Sequence, residues 1–175
     1  MHQISQPLVT AAHRTRRNDR RAVSGSGPGR PAPSPHGEKA GYLEDAVVKT
    51  IAGFANSFYG GTLLVGVTDG GGIYGLKDDY ATFSKRGDRG DRDLWGQHLK
   101  NLLDRLGKSA AALVEWDFFT IDGKDICRVS IDPSDHPVFE KKSDAETFWW
   151  RTPVSTDKID NDQDRDRVIA RRWQA

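Results

Sequence analysis

From residue 42 onward the apolar residues fall into runs with distinct periods. Leu43, Ala46, Val47, Thr50, Ile51, Phe54, Ala55 and Phe58 recur at steps of three and four, one stripe of an amphipathic helix. That predicts a first helix over residues 42–57. Gly60 and Gly61 close it, because glycine adopts the left-handed conformation that ends a helix. The next run, Thr62-Leu63-Leu64-Val65-Gly66-Val67, is β-branched and of strand length, and its unbroken apolar character predicts burial on both faces. Thr68-Asp69-Gly70-Gly71-Gly72 reads as a tight turn into a short strand at 73–76.

Farther along, Leu94, His98, Leu99, Leu102, Leu103 and Leu106 mark a second helix that stops near Gly107. Residues 112–121 alternate in part with the strand period, and Asp122-Gly123 is a turn signal into a strand at 125–131, which makes this pair the clearest hairpin. Residues 147–151 read as another strand and 162–173 as a final helix. The fold class expected is α+β: a mixed, mainly antiparallel sheet with two packed helices and a C-terminal helix.

Residues 1–41 break this regularity. Apart from Ile4, Leu8 and Val23 they hold almost no large apolar residue, and the stretch from Ser24 to Gly37 is rich in Gly, Pro and Ser. Such a segment buries too little apolar area to order itself and is read as a disordered arm. The domain is assigned to residues 42–175. The arm holds seven basic residues, among them Arg14, Arg16, Arg17, Arg20 and Arg21, against Asp19 and Glu38, a net +5. The whole chain of 175 residues has 26 Lys and Arg against 25 Asp and Glu, so the remainder holds 19 basic and 23 acidic residues, net −4. A near-neutral total conceals a basic arm on a mildly acidic body.

Composition excludes several classes. No apolar run approaches the ~20 residues of a spanning helix, and the N-terminal arginines are followed by no apolar signal segment. The single Cys127 forms no internal disulfide or Cys-based zinc site, and the five His residues show no ligand spacing. A reducing, cytoplasmic setting is expected.

The succession Leu43-Glu44-Asp45-Ala46-Val47-Val48-Lys49, Gly53-Phe54-Ala55-Asn56-Ser57, Gly60-Gly61-Thr62-Leu63-Leu64-Val65-Gly66-Val67 and Gly72-Ile73-Tyr74-Gly75-Leu76 resembles the Schlafen AlbA-like domain family, whose members are catalogued as candidate DNA-binding domains. Cys127 to Pro133, Ser134-Asp135-His136-Pro137-Val138 and Phe148-Trp149-Trp150-Arg151-Thr152-Pro153-Val154-Ser155-Thr156 are similar to its later strand, loop and closing arginine motif. The likeness covers residues 43–173 and departs in two places. The Glu-rich strand ending in Glu-Phe-Lys that usually precedes the first helix is missing, and Pro153-Val154 stands where Gly-Asn is usual.

The resemblance implies a nucleic-acid-binding module, and the missing strand, where the family's Glu positions would lie, argues that it is non-enzymatic as it stands. Candidate contacts are Lys49 on the first helix, Lys85, Arg86, Arg89 and Arg92 in the loop before the second, and Arg151 beside Trp149 and Trp150. Cations neutralise phosphates and an exposed indole stacks on an unpaired base. Asp88, Asp91 and Asp93 interleave with the loop's cations and cancel much of their field. Adjacent strand residues face opposite ways, so one of the two tryptophans is expected in the core and Trp150 is taken as the platform. Arg151 matches the family motif; its structural alternative is an ion pair with Asp69 or Glu44.

Relatives that cut RNA do so with a carboxylate cluster and a divalent metal, and Asp69 is the one acid that matches such a cluster. Under that alternative Mg or Mn would be the cofactor; otherwise none is expected. The glycine turn 68–72 lacks the Lys-Ser/Thr and following helix of a phosphate loop. The third alternative is a protein-interaction module. A missing edge strand would leave ladder groups open to a second copy or a partner strand.

Overall fold

The structure, a computed structural model, describes residues 8–10, 35–68, 70–83 and 90–174. For residues 8–10 and 35–43 the description is of backbone alone. Along the chain run β1 (Leu8–Thr10), α1 (Pro35–Asn56), β2 (Gly61–Val65), α2 (Lys77–Tyr80), α3 (Asp91–Leu103), α4 (Lys108–Ala111), β3 (Val114–Ile121), β4 (Lys124–Ile131), β5 (Phe139–Lys142), β6 (Ala145–Arg151), β7 (Thr156–Lys158) and α5 (Asp162–Trp173). The fold is α+β. Its strands divide into a four-stranded sheet, β1-β2-β4-β3, and a three-stranded one, β5-β6-β7. All pairings are antiparallel except β1 with β2, which is parallel.

α1 carries the core. Val48, Ile51, Ala52, Phe54 and Ala55 are buried on it, the stripe that the three-and-four spacing marks, and they meet Leu63, Leu99, Leu103, Cys127 and Val129. Burying the Phe54 side chain alone stabilises by about 2–3 kcal/mol. Ser57 ends the helix by donating from both N and Oγ to the Phe54 carbonyl, at 3.0 and 2.8 Å. Gly60 then turns at φ +68°, and a Cβ there would collide with the Ile131 carbonyl oxygen. Here glycine is required twice over, by the left-handed backbone and by the close approach of β4.

Expectations are corrected at several points. β2 is not buried on both faces: Gly61 and Leu63 are buried, while Thr62, Leu64 and Val65 are half-buried, as suits a sheet covered by helices on one side. The strand expected at 73–76 reduces to one antiparallel bridge, Val67 to Ile73. Gly66 and Gly75, at φ +90° and +92°, turn the backbone out of the extended region, and Tyr74 and Gly75 both donate to the Gly66 carbonyl instead. α1 starts at Pro35 and α3 at Asp91, earlier than the apolar periodicity indicates. For α3 the extra turn is acidic, with Asp91 and Asp93 at the favourable end of the helix dipole.

The β3–β4 hairpin closes at Asp122 and Gly123, φ +50° and +72°, as the Asp-Gly signal requires. α5 spans Asp162–Trp173, as its pattern predicts; Asn161 Oδ1 accepts from Asp164 N at 3.0 Å and caps it.

Candidate nucleic-acid interface

β6 places the closing motif against α1. Asn56, at the end of α1 and fully buried, holds the two together: its Nδ2 donates to the carbonyls of Val138 and Trp149, both at 2.9 Å, and its Oδ1 accepts from Val138 N at 2.8 Å. Beyond Arg151 the chain reverses through Thr152 and Ser155, joined by several hydrogen bonds. Pro153 and Val154 form the tip of that turn, and β7 returns with Thr156 opposite Arg151.

Arg151 is half-buried. Its guanidinium lies over the Phe54 ring, 5.1 Å from the centroid, and Nη1 donates to Thr156 Oγ1 at 3.1 Å. Its Nε is buried without a hydrogen-bond partner. Among the described residues no carboxylate forms an ion pair with it. Desolvation lowers its pKa, only partly opposed by Asp157. The ion pair expected with Glu44 does not form, because Glu44 Oε1 lies 3.0 Å from His98 Nε2 instead. Asp69, the other expected partner and the one candidate metal ligand, lies outside the described residues.

Eight other basic groups among the described residues are held in ion pairs. Arg92, expected as a phosphate contact, grips Asp125 with Nε at 2.9 Å and Nη2 at 2.6 Å. Bonds from Arg92, Thr120 and Tyr80 outweigh burial and hold the Asp125 carboxyl well below the ordinary range. The same carboxylate accepts from Tyr80, and burial first, then Asp125, raises the Tyr80 phenol. Arg92 is therefore a clamp between α3 and the β3–β4 hairpin. Lys85, Arg86 and Arg89 lie outside the described residues.

Lys49 forms no ion pair among the described residues. Its Nζ stands 5.1 Å from the Trp149 ring centroid, at an open cleft of about 320 Å³ lined by Asp45, Lys49, Arg105, Glu140, Lys142 and Trp149 among others. Within it Arg105 bonds Asp45 at 2.8 Å and the buried Glu140. Lys142 bonds Asp45 at 2.6 Å, and Trp149 Nε1 donates to Glu140 at 2.5 Å. Burial would raise Asp45, but Lys142 and Arg105 together hold its carboxyl below the ordinary value. Burial likewise works against the Arg105 cation, and its two carboxylates more than restore it.

Trp149 and Trp150 are both half-buried; Trp149 packs against the core, and Phe148 beside them is the fully buried residue of β6. The Trp150 ring meets Phe58 edge-on at 6.2 Å. Phe58 and Tyr59, 43% and 75% exposed, were missed by the sequence reading, which counted Phe58 in the core stripe; the only signal was that both follow the last helical turn. Among the described residues no three His, Cys, Asp or Glu side chains converge as a metal site needs, and no helix is long and apolar enough to cross a membrane.

A family model described as Schlafen, AlbA_2 matches residues 33–160. The crystal structure of the DIP2311 protein from Corynebacterium diphtheriae is similar at 19% identity, with a TM-score of 0.46, over 81% of this chain and 23% of that one. The chain thus spans under a quarter of the length of that protein. No curated protein matches.

Proposed function

Since the chain belongs to the Schlafen AlbA_2 family, we propose that it is a nucleic-acid-binding module, acting on DNA or RNA through phosphate contacts and without catalysis of its own. Family membership supports a nucleic-acid-related function. The observation that carries the finer reading is Arg151: a half-buried guanidinium whose Nε has no partner and which no described carboxylate neutralises. Holding a guanidinium half-buried with no carboxylate in an ion pair is costly, and a phosphate oxygen that accepts from its accessible N–H groups in a charge-assisted bond offsets that cost. Lys49, over the Trp149 ring at the neighbouring cleft and without an ion pair among the described residues, is the second contact, and the arginine arm adds non-specific attraction. Binding through phosphates positions without reading sequence, so specificity is weak.

The reading places the protein in the cytoplasm, in keeping with a buried free Cys127. A partner strand stays within the proposal at β3, an edge of the four-stranded sheet, and gel-filtration mass tests it. The full chain is titrated into labelled DNA and RNA with and without manganese. Binding with intact nucleic acid is expected; manganese-dependent cleavage lost in Asp69→Asn would replace this reading with a metal-dependent ribonuclease.

A further inference from the structure

Past the end of α1 the chain exposes two aromatic rings in succession. Phe58 and Tyr59 lie 6.3 Å apart between centroids, and Trp150 from β6 meets Phe58 on another side. Arg172, in the last turn of α5, covers the group. Its guanidinium is 5.3 Å from the Phe58 centroid and 5.0 Å from that of Trp173. Nε and Nη2 of Arg172 donate to the main-chain carbonyls of Ser57 and Ser134, at 3.1 and 3.2 Å. Neutral acceptors fix this cation in place, and no described carboxylate pairs with it. Arg171 beside it also has no ion pair among the described residues.

Adjacent exposed rings with cations beside them offer a surface on which a ligand can dock, and the charge here selects the occupant. Phe58 and Tyr59 stay exposed beside an arginine that no described carboxylate pairs with, and the chain neighbour of Trp150 is Arg151, likewise without an ion pair among the described residues. Every nucleobase has a π-face to set on a ring, and the phosphates between bases answer the arginines. A duplex keeps its base faces stacked on one another and offers none to a protein ring. We propose that Phe58, Tyr59, Trp150 and Arg172 form a stacking site for unpaired bases, so that single-stranded nucleic acid is the preferred ligand. This rests on the nucleic-acid reading above and names its substrate class.

The test uses the full chain, a labelled single-stranded oligonucleotide and the matching duplex. Tyr59→Ala changes a residue that is 75% exposed and leaves stability nearly unaltered, and Phe58→Leu keeps apolar volume while removing the ring. Wild type should bind the single strand more tightly than the duplex. Each variant should weaken single-strand binding by about fivefold or more, with duplex affinity and the salt slope unchanged. Duplex binding without single-strand preference would overturn the stacking site and leave the phosphate-binding reading standing, as would an equal effect of Tyr59→Ala on both ligands. Self-association in wild type abolished by Tyr59→Ala would reassign the patch to a protein interface. No binding to either ligand would overturn both.

Discussion

Asn56 shows how far a single side chain can be read from its neighbours in sequence. Its place in the run before Gly60 and Gly61 is visible, but its three bonds reach residues 82 and 93 positions away, and nothing local announces them. Asn56→Ala leaves two carbonyls and one amide unpaired in a buried setting and should cost about 3 kcal/mol or more, measured by urea unfolding. A loss under 1 kcal/mol would mean that water reaches the site. Arg151 was legible as a motif residue, while its bed on Phe54 and its missing counter-ion belong to tertiary structure. Cys127 is fully buried, and burial, helped by Asp117, pushes its thiol up to about 12. It should resist thiol reagents at neutral pH until the protein unfolds, since the thiolate is the reacting form; stoichiometric labelling of the native protein would contradict the packing.

At the scale of elements, what local chemistry dictates was readable and what distant partners dictate was not. Asp122-Gly123 sets its own turn, and α5 carries its own cap. β5 and β7, by contrast, have sequences Phe-Glu-Lys-Lys and Thr-Asp-Lys without strand alternation, and they are strands because β6 lies between them. β1 is the sharper case. Leu8–Thr10 sits within a segment of arm composition, yet pairs in parallel with Thr62, Leu63 and Leu64, on the edge that a missing strand would leave open. The union of α2, α3 and the β3–β4 hairpin at Asp125 has a pH signature. Its carboxyl is lowered in the fold, so its stabilising effect is fully present above the unfolded value near pH 4 and is lost as pH falls toward the folded one. Thermal melts of Asp125→Asn should therefore show a flatter decline below about pH 4 than wild type. Parallel curves would mean that the clamp contributes nothing to folding.

Over the whole molecule, charge is sorted by position. A basic arm precedes an acidic body in which ion pairs hold eight of the described cations, and Lys49, Arg151 and Arg172, on or beside α1 and β6, are among those that pair with no described carboxylate. Composition discloses the division between arm and body; which cations stay free depends on how the strands and helices pack. The most direct test of the account is the salt dependence of nucleic-acid binding by the full chain, followed by anisotropy for wild type and Arg151→Gln. The account predicts that log K falls linearly with log salt concentration and that Arg151→Gln lowers the slope by about one, the loss of one phosphate contact. Binding that ignores salt, or a slope unchanged by the substitution in a protein that remains folded, would contradict it.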